Sequence, residues 1–379
     1  MEEIELLCLQ EEVKKYLHKC HIQGVYSAAS LAVFSCRDNT FTDSFISVGT
    51  SGKNDAHEVD KATVFDLASL TKPLVTLPSV LHLIDQGKIS WNEPLDSLLE
   101  TSLDKRFARV DLHSLLCHSS GFTAHRNFWK KLTSMKEEQK SQWLLDNILG
   151  EGLEYTTGAR HLYSDVGYIL LGYVVQKKTG LGLDSYWRDH IAEPAGVGEM
   201  LCFPTQNENK NYKRWVQTGH CRWTRRPLLG LVHDDNCRAL GGVAGHAGLF
   251  GTSEGVLNLC KEYLNIYHHR KSKLPISTET FVKASTQVGE SEWSCGFNLP
   301  SPSGSSSGSY FSKNSLGHLG FTGVSFWIDV EKQVAVSLLT NRVRQGDDTR
   351  AIKEVRPTLH DLVVCCLEEK NPPAEPGDC

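Results

Sequence analysis

Ala62-Thr63-Val64-Phe65-Asp66-Leu67-Ala68-Ser69-Leu70-Thr71-Lys72 is the stretch on which the reading turns, because an extended run gives way at Ser69 to an apolar-periodic one. A serine and a lysine three apart lie on one face of a helix with their side chains within reach. A serine hydroxyl is a weak nucleophile until a neighbouring base takes its proton, and a helix N-terminus offers backbone N–H groups to a developing negative charge. Leu70, Leu74, Leu77, Leu81 and Ile84 continue the helical stripe, and Gly87 is placed to cap it. Pro73 suits a first turn, whereas Pro78 predicts a kink or break. A second copy of the spacing, Ser102-Leu103-Asp104-Lys105, has no strand before it and no apolar helix after it, and reads as solvated surface.

At 379 residues the chain can bury a large core in one or two domains. Its 40% hydrophobic and 22% charged content is that of an ordinary globular protein, and a net charge of -5 gives no basic footprint for nucleic acid. No apolar run has the length of a membrane span. Met1-Glu2-Glu3-Ile4-Glu5 is acidic and leads into an amphipathic helix through about His18, without the positive and apolar regions of a secretory signal, so a cytoplasmic location is expected. The 12 cysteines are scattered and form no C-x-x-C pair, and the adjacent Cys365 and Cys366 suit neither a mutual disulfide nor a zinc site. Reduced thiols, and no metal or cofactor, are the expectation.

Ser27 to Cys36 and Thr42 to Val48 read as strands around an Arg37-Asp38-Asn39 turn, and residues 89–230 are mostly helical with polar connections. Tyr168 to Lys178 is a buried helix, Leu240 to Ser253 is glycine-rich, and Val256 to His268 is helical. Trp293 to Leu299, Gly320 to Asp329 and Gln333 to Thr340 are strand-like around a flexible Ser301–Gly308 loop. A last helix covers about Thr349 to Leu367, and Asn371 to Cys379 reads as a disordered tail. Strands at both chain ends with helices between predict an α+β fold, an antiparallel sheet flanked by helices with an inserted helical lobe. The expected organisation is one catalytic domain over 1–370, its sheet lobe about 1–66 and 240–370 and its helical lobe about 67–239.

With Ser69-x-x-Lys72, Tyr163-Ser164-Asp165 and His318-Leu319-Gly320 in that order, the chain resembles the penicillin-recognising serine hydrolases: class C β-lactamases, serine D,D-peptidases and their esterase relatives. The likeness runs from about 60 to 342 and includes Leu115-Leu116-Cys117-His118-Ser119-Ser120-Gly121, the glycine-rich Gly241 to Leu249, and Gly317 to Gly323. Two literal matches are set aside. Lys178-Thr179-Gly180 closes the helix from Tyr168, and Tyr263-Leu264-Asn265 lies inside a later helix, whereas His318-Leu319-Gly320 is expected to open a strand. The resemblance implies Ser69 as nucleophile, Lys72 and Tyr163 as proton-transfer partners, and the backbone N–H groups of Ser69 and Phe321 as an oxyanion hole. Asp165, His318, Gly320 and His246 are the expected substrate-binding residues, with Gly320 letting the strand approach the substrate. His233-Asp234-Asp235-Asn236 reads as a loop at the site's edge.

Two departures shift the expected substrate. Asp165 stands where many relatives have Asn, so an acceptor-only carboxylate replaces a donor and favours protonated Lys72. His318 replaces a lysine and removes a fixed positive charge near neutral pH. The expected activity is acyl-enzyme hydrolysis of a small-molecule ester or amide, carboxyl esters first and D-amino-acid peptides or β-lactams second. The alternative of another class is a non-catalytic binding or scaffold protein that keeps the fold.

Overall fold

The computed structural model describes residues 7–37, 40–52, 57–204, 214–346 and 348–368. The expected turn at Asp38-Asn39 and the tail Asn371 to Cys379 lie outside the described residues. Strands β1 (Ala28–Arg37) and β2 (Thr40–Gly49) from the start of the chain meet β3 (Leu316–Leu319), β4 (Ser325–Asp329) and β5 (Val334–Thr340) from its end. They form one antiparallel sheet in the order β2-β1-β5-β4-β3, with Ala32 opposite Ser337 and Phe326 opposite His318. This is the expected α+β arrangement.

Period-2 alternation assigns the two faces. Ala29, Leu31, Val33, Val336 and Leu338 pack against α1 (Lys14–Ile22) and the last helix, α6 (Arg350–Glu368). Ala28, Ala32, Phe34, Ala335 and Leu339 face the larger core, which includes Val256, Leu257, Cys260 and Leu264 of α5 (Ser253–Tyr267). Cys8, just before α1, forms a disulfide with Cys366 on α6 and so joins the two helices across 358 residues of sequence. That bond corrects the expectation that all thiols are reduced. Spacing could not reveal it, because only packing of both helices on one sheet face brings the two sulfurs together.

The helix after Ser69 is not broken at Pro78. A π turn over Lys72–Thr76, in which the Leu77 N–H donates to the Lys72 carbonyl, precedes α2 (Leu77–Asp85) and absorbs the disruption. Carbonyls displaced from the regular ladder find side chains instead: Trp187 Nε1 donates to Leu74 O at 2.8 Å and the Tyr263 hydroxyl to Pro73 O at 2.7 Å. The tyrosine set aside above as a literal motif match therefore supports this turn. Gly180, in the left-handed region at φ 72, ends α4 (Asp165–Thr179) as a helix cap, as read from the sequence.

Three local expectations change. Trp293 to Leu299 contributes isolated bridges rather than a strand. The Ser301–Gly308 segment is held against α6, where His360 Nδ1 lies 2.7 Å from Ser306 O and Asp361 accepts from the Ser309 N–H. His318 and Leu319 close β3 rather than open a strand, and Gly320–Val324 is the turn into β4. The Gly323 N–H donates to Gly320 O and the Gly320 N–H to Val324 O, so turn hydrogen bonds replace the extended run read from composition.

Candidate active site

Ser69 owes its place to a short buried strand, Thr63–Asp66, which pairs with Phe250–Gly251. Asp66 ends that strand, and its two carboxylate oxygens accept from the Ala68 N–H at 2.8 Å and the His233 N–H at 2.7 Å. Ala68 sits at φ 47, a left-handed conformation that costs a non-glycine residue on the order of 1 kcal/mol. The Asp66 bond and the Thr71 hydroxyl, which donates to Ala68 O at 2.7 Å, hold that conformation and turn Ser69 toward the cleft. Burial pushes the Asp66 carboxyl up to about 6 against the pull of its two backbone donors.

Lys72 lies fully buried beneath Ser69. Its ammonium donates to Ser69 Oγ at 3.1 Å, Asp165 Oδ1 at 2.8 Å and the His246 carbonyl at 3.2 Å, which satisfies its three N–H groups. Burial alone would pull its pKa down, but Asp165 and Tyr163 outweigh burial and hold it above the ordinary lysine value. Burial likewise opposes ionisation of Asp165, yet Lys72 and His125 keep its carboxyl well below the usual range. His125 Nδ1 reaches Asp165 Oδ2 at 3.3 Å from the cleft side.

Tyr163 precedes Ser164, the N-cap of α4, and its hydroxyl interacts with both Lys72 and Ser69. Burial raises its pKa despite the lysine charge, so the resting group is a neutral phenol. Its ring lies 4.7 Å from His118, 5.4 Å from Trp293 and 5.9 Å from His318, centroid to centroid. His118 also grips the backbone on both sides of Tyr163: its carbonyl accepts from the Leu162 N–H at 2.8 Å and its Nδ1 from the Ser164 N–H at 3.1 Å. Burial and the Lys72 charge push the His118 pKa well down, leaving a neutral ring able to accept at Nδ1.

The opposite wall comes from the end of β3. His318 is buried, its Nδ1 lies 2.8 Å from Leu319 O, and burial with the nearby Lys72 charge lowers its pKa to about 3. It is neutral at physiological pH, as its replacement of lysine suggested. A Cβ on Gly320 would meet Val324 Cγ2 at 2.3 Å and Leu67 O at 3.0 Å. This glycine is therefore required by protein packing against the segment before Ser69, and it also lines the cleft. Buried Arg356 of α6 donates to Gly320 O at 3.1 Å and Val324 O at 2.8 Å, fixing the turn that presents the Phe321 N–H. The Phe321 ring is half-exposed and stacks on His233 with 5.5 Å between centroids. His246 is buried with Nε2 2.9 Å from Asp234 Oδ1, so Asp234 joins the cleft's edge, although Asp235 and Asn236 open a short helix capped by Asp234 rather than continuing a loop.

Ser69, Tyr163, Asp165, His246, His318 and Phe321 line one cleft of about 540 Å³, with Gly320 on its wall and Lys72 below its floor. Every residue expected in the site thus lies at one cleft. Ser102 and Lys105 do not: both are exposed, Lys105 on a separate short turn. Asp66, His118, His125 and Arg356 were missed. The segment containing His118 stood out in the sequence, but nothing in it revealed that the imidazole would brace Tyr163.

A family model described as Beta-lactamase matches residues 9–359. A protein of Escherichia coli O157:H7 named "Putative D-alanyl-D-alanine carboxypeptidase" is 30% identical over 306 residues, covering 74% of this chain and 69% of its own. The N-acetylmuramyl-L-alanine amidase of Bacillus subtilis (strain 168) is 29% identical over 304 residues, covering 74% and 68%. The octameric penicillin-binding protein homologue from Pyrococcus abyssi shares the fold with a TM-score of 0.74 at 18% identity, covering 96% of this chain and 78% of that one. Among the described residues no helix is long and apolar enough to cross a membrane. The chain belongs to the beta-lactamase family of serine hydrolases.

Proposed function

We propose that the chain hydrolyses small carboxyl esters through an acyl-enzyme on Ser69. The observation that carries this reading is the buried Lys72 ammonium 3.1 Å from Ser69 Oγ, with the Tyr163 hydroxyl facing both. In molecules whose Lys72–Tyr163 pair has already lost one proton, Ser69 Oγ attacks the acyl carbon while its own proton passes to that pair. The Ser69 and Phe321 N–H groups receive the oxyanion, and Tyr163 returns the proton to the leaving group. Water then adds to the acyl carbon, and collapse of that second adduct releases the acid and restores Ser69.

Esters rank ahead of amides because the resting pair is a protonated lysine and a neutral phenol, both acids, so little base is present at neutral pH. An alkoxide or phenoxide leaves more readily than an amide anion, which must first be protonated at nitrogen, and a base present in a small fraction of molecules suffices for the more reactive ester carbonyl. A second reading, D-amino-acid peptides or β-lactams, is supported by Arg342, Lys353 and Arg356, whose positive charges line the cleft and suit a substrate carboxylate. One catalytic domain over 1–370 belongs to the same proposal. The cytoplasmic location expected from the sequence is opposed by the Cys8–Cys366 disulfide, which favours a less reducing compartment.

The test is intact-protein mass after brief exposure to a p-nitrophenyl ester and, separately, to a penicillin, alongside product release. An acyl adduct present in the wild type and absent in a folded Ser69→Ala variant supports the nucleophile, and the reagent that turns over ranks the two readings. Turnover unchanged in Ser69→Ala overturns the assignment. Absence of adduct and turnover with either reagent favours the non-catalytic alternative.

A further inference from the structure

Next to His118, three side chains with no part in the hydrolytic site converge. His113 and Cys117 lie four apart, on and just after α3 (Leu112–Leu116), and Cys295 arrives from 178 residues later. His113 Nε2 is 3.5 Å from Cys117 Sγ, Cys117 Sγ is 2.8 Å from Cys295 Sγ, and the three atoms all lie within 4.8 Å of one another. Cys117 and Cys295 are buried, whereas His113 is partly exposed and gives the cluster an approach from water. The two sulfurs are closer than non-bonded heavy atoms usually rest, roughly 3.5–4.0 Å, yet beyond the roughly 2.05 Å of a disulfide.

Zinc binds thiolate at about 2.3 Å and imidazole at about 2.0–2.1 Å, so a tetrahedral centre sets ligand N and S about 3.5 Å apart and two sulfurs about 3.8 Å apart. The His113–Cys117 distance is already in place, and His113 Nε2 lies within 4.8 Å of Cys295 Sγ. The sulfur pair needs to open by about 1 Å, within the reach of a rotation of one thiol about its Cα–Cβ bond. We propose that His113, Cys117 and Cys295 form a binding site for one thiophilic divalent cation of the zinc class, with water from the His113 side as fourth ligand. Each thiol gives up its proton to solvent on binding, so two thiolates balance the 2+ charge and the buried complex is neutral. A set of sulfur and imidazole with no carboxylate favours zinc over magnesium or calcium. The bound ion would tie the segment bearing His118, which braces Tyr163, to the segment bearing Trp293, which lines the cleft.

The test uses the full chain, reduced with a phosphine under inert gas, stripped with a chelator and titrated with cobalt(II). The expected result is a single saturable equivalent with sulfur-to-cobalt charge-transfer absorption and the visible bands of a tetrahedral complex, displaced by zinc(II). Cys295→Ser and His113→Ala, checked for folding by circular dichroism, should lose that spectrum, and zinc should raise the melting temperature of the wild type alone. No saturable binding, or the same spectrum in Cys295→Ser, overturns the proposal. So does a Cys117–Cys295 disulfide that forms on re-exposure to air despite excess zinc, read by peptide mass mapping.

Discussion

Replacing Asp165 with Asn tests how the site controls its proton. The Lys72–Asp165 pair is 2.8 Å apart with the lysine fully buried and the carboxylate side chain 19% exposed. At an effective dielectric of about 20, Coulomb's law gives the pair about 6 kcal/mol. Asparagine can keep an oxygen toward Lys72, and a hydrogen bond to a charged group retains about 1.5–3 kcal/mol of this. If solvent at the exposed edge of Asp165 screens about half of the rest, the ammonium loses about 1.5 kcal/mol of support, or roughly tenfold in its deprotonated fraction. The sign follows from both bases. Asp165 raises the pKa of Lys72 and also that of Tyr163, and each is a base only when deprotonated. Neutralising residue 165 therefore moves the rising alkaline limb of kcat/KM toward lower pH and increases kcat/KM near neutral pH by about tenfold. The assay is p-nitrophenyl ester hydrolysis from mildly acidic to alkaline pH, with circular dichroism to establish folding. A folded Asp165→Asn enzyme whose alkaline limb stays in place, or moves to higher pH, refutes the view that this carboxylate holds the lysine protonated.

Gly320→Ala places a methyl 2.3 Å from Val324 Cγ2 and 3.0 Å from Leu67 O, and overpacking of this kind costs about 1–3 kcal/mol. A matching loss of stability in urea, with kcat falling more than KM rises, is expected, whereas an unaltered enzyme would contradict the packing role. His118→Leu leaves the Ser164 N–H without its Nδ1 acceptor, a loss of about 1–3 kcal/mol, and releases the Tyr163 ring. kcat should drop by about 100-fold, with partial rescue by His118→Asn, which can still accept; equal activity in both variants would argue against a positioning role. Reducing the Cys8–Cys366 disulfide, which closes a loop of 358 residues, should lower stability by about 2–5 kcal/mol, and Cys8→Ser should reproduce the effect in a melting curve.

Much of the site was legible because its chemistry needs particular residue types and because their motifs fall in the order of a family that the chain resembles. Ser69 and Lys72 are three apart on one helical turn, and local geometry brings them together without long-range contacts. Tyr163 and His318 followed from the family resemblance, through the order of its motifs, although His318 ends a strand rather than starting one. That difference arose because the apolar run Phe321 to Asp329 contains a hydrogen-bonded turn, and composition does not distinguish a turn closed by Gly320 and Gly323 from continuous strand. Pro78 was misleading for a related reason. The cost of its missing N–H depends on whether distant side chains can serve the freed carbonyls, and Trp187 and Tyr263 do.

Local pattern by itself determined the α+β class, the presence of strands at both chain ends, and the position of a serine–lysine turn after a buried strand. Periodicity and short-range spacing encode these features directly. Only the tertiary structure decided which way the protons lie, since the charge states of Lys72, Tyr163 and Asp165 depend on burial and on partners distant in sequence, Lys72 and Asp165 being 93 residues apart. It also decided that Cys8 meets Cys366 and that Cys117 meets Cys295. Contacts between residues far apart in sequence arise from packing on a shared core, and no local rule specifies which of 12 cysteines that packing will bring together.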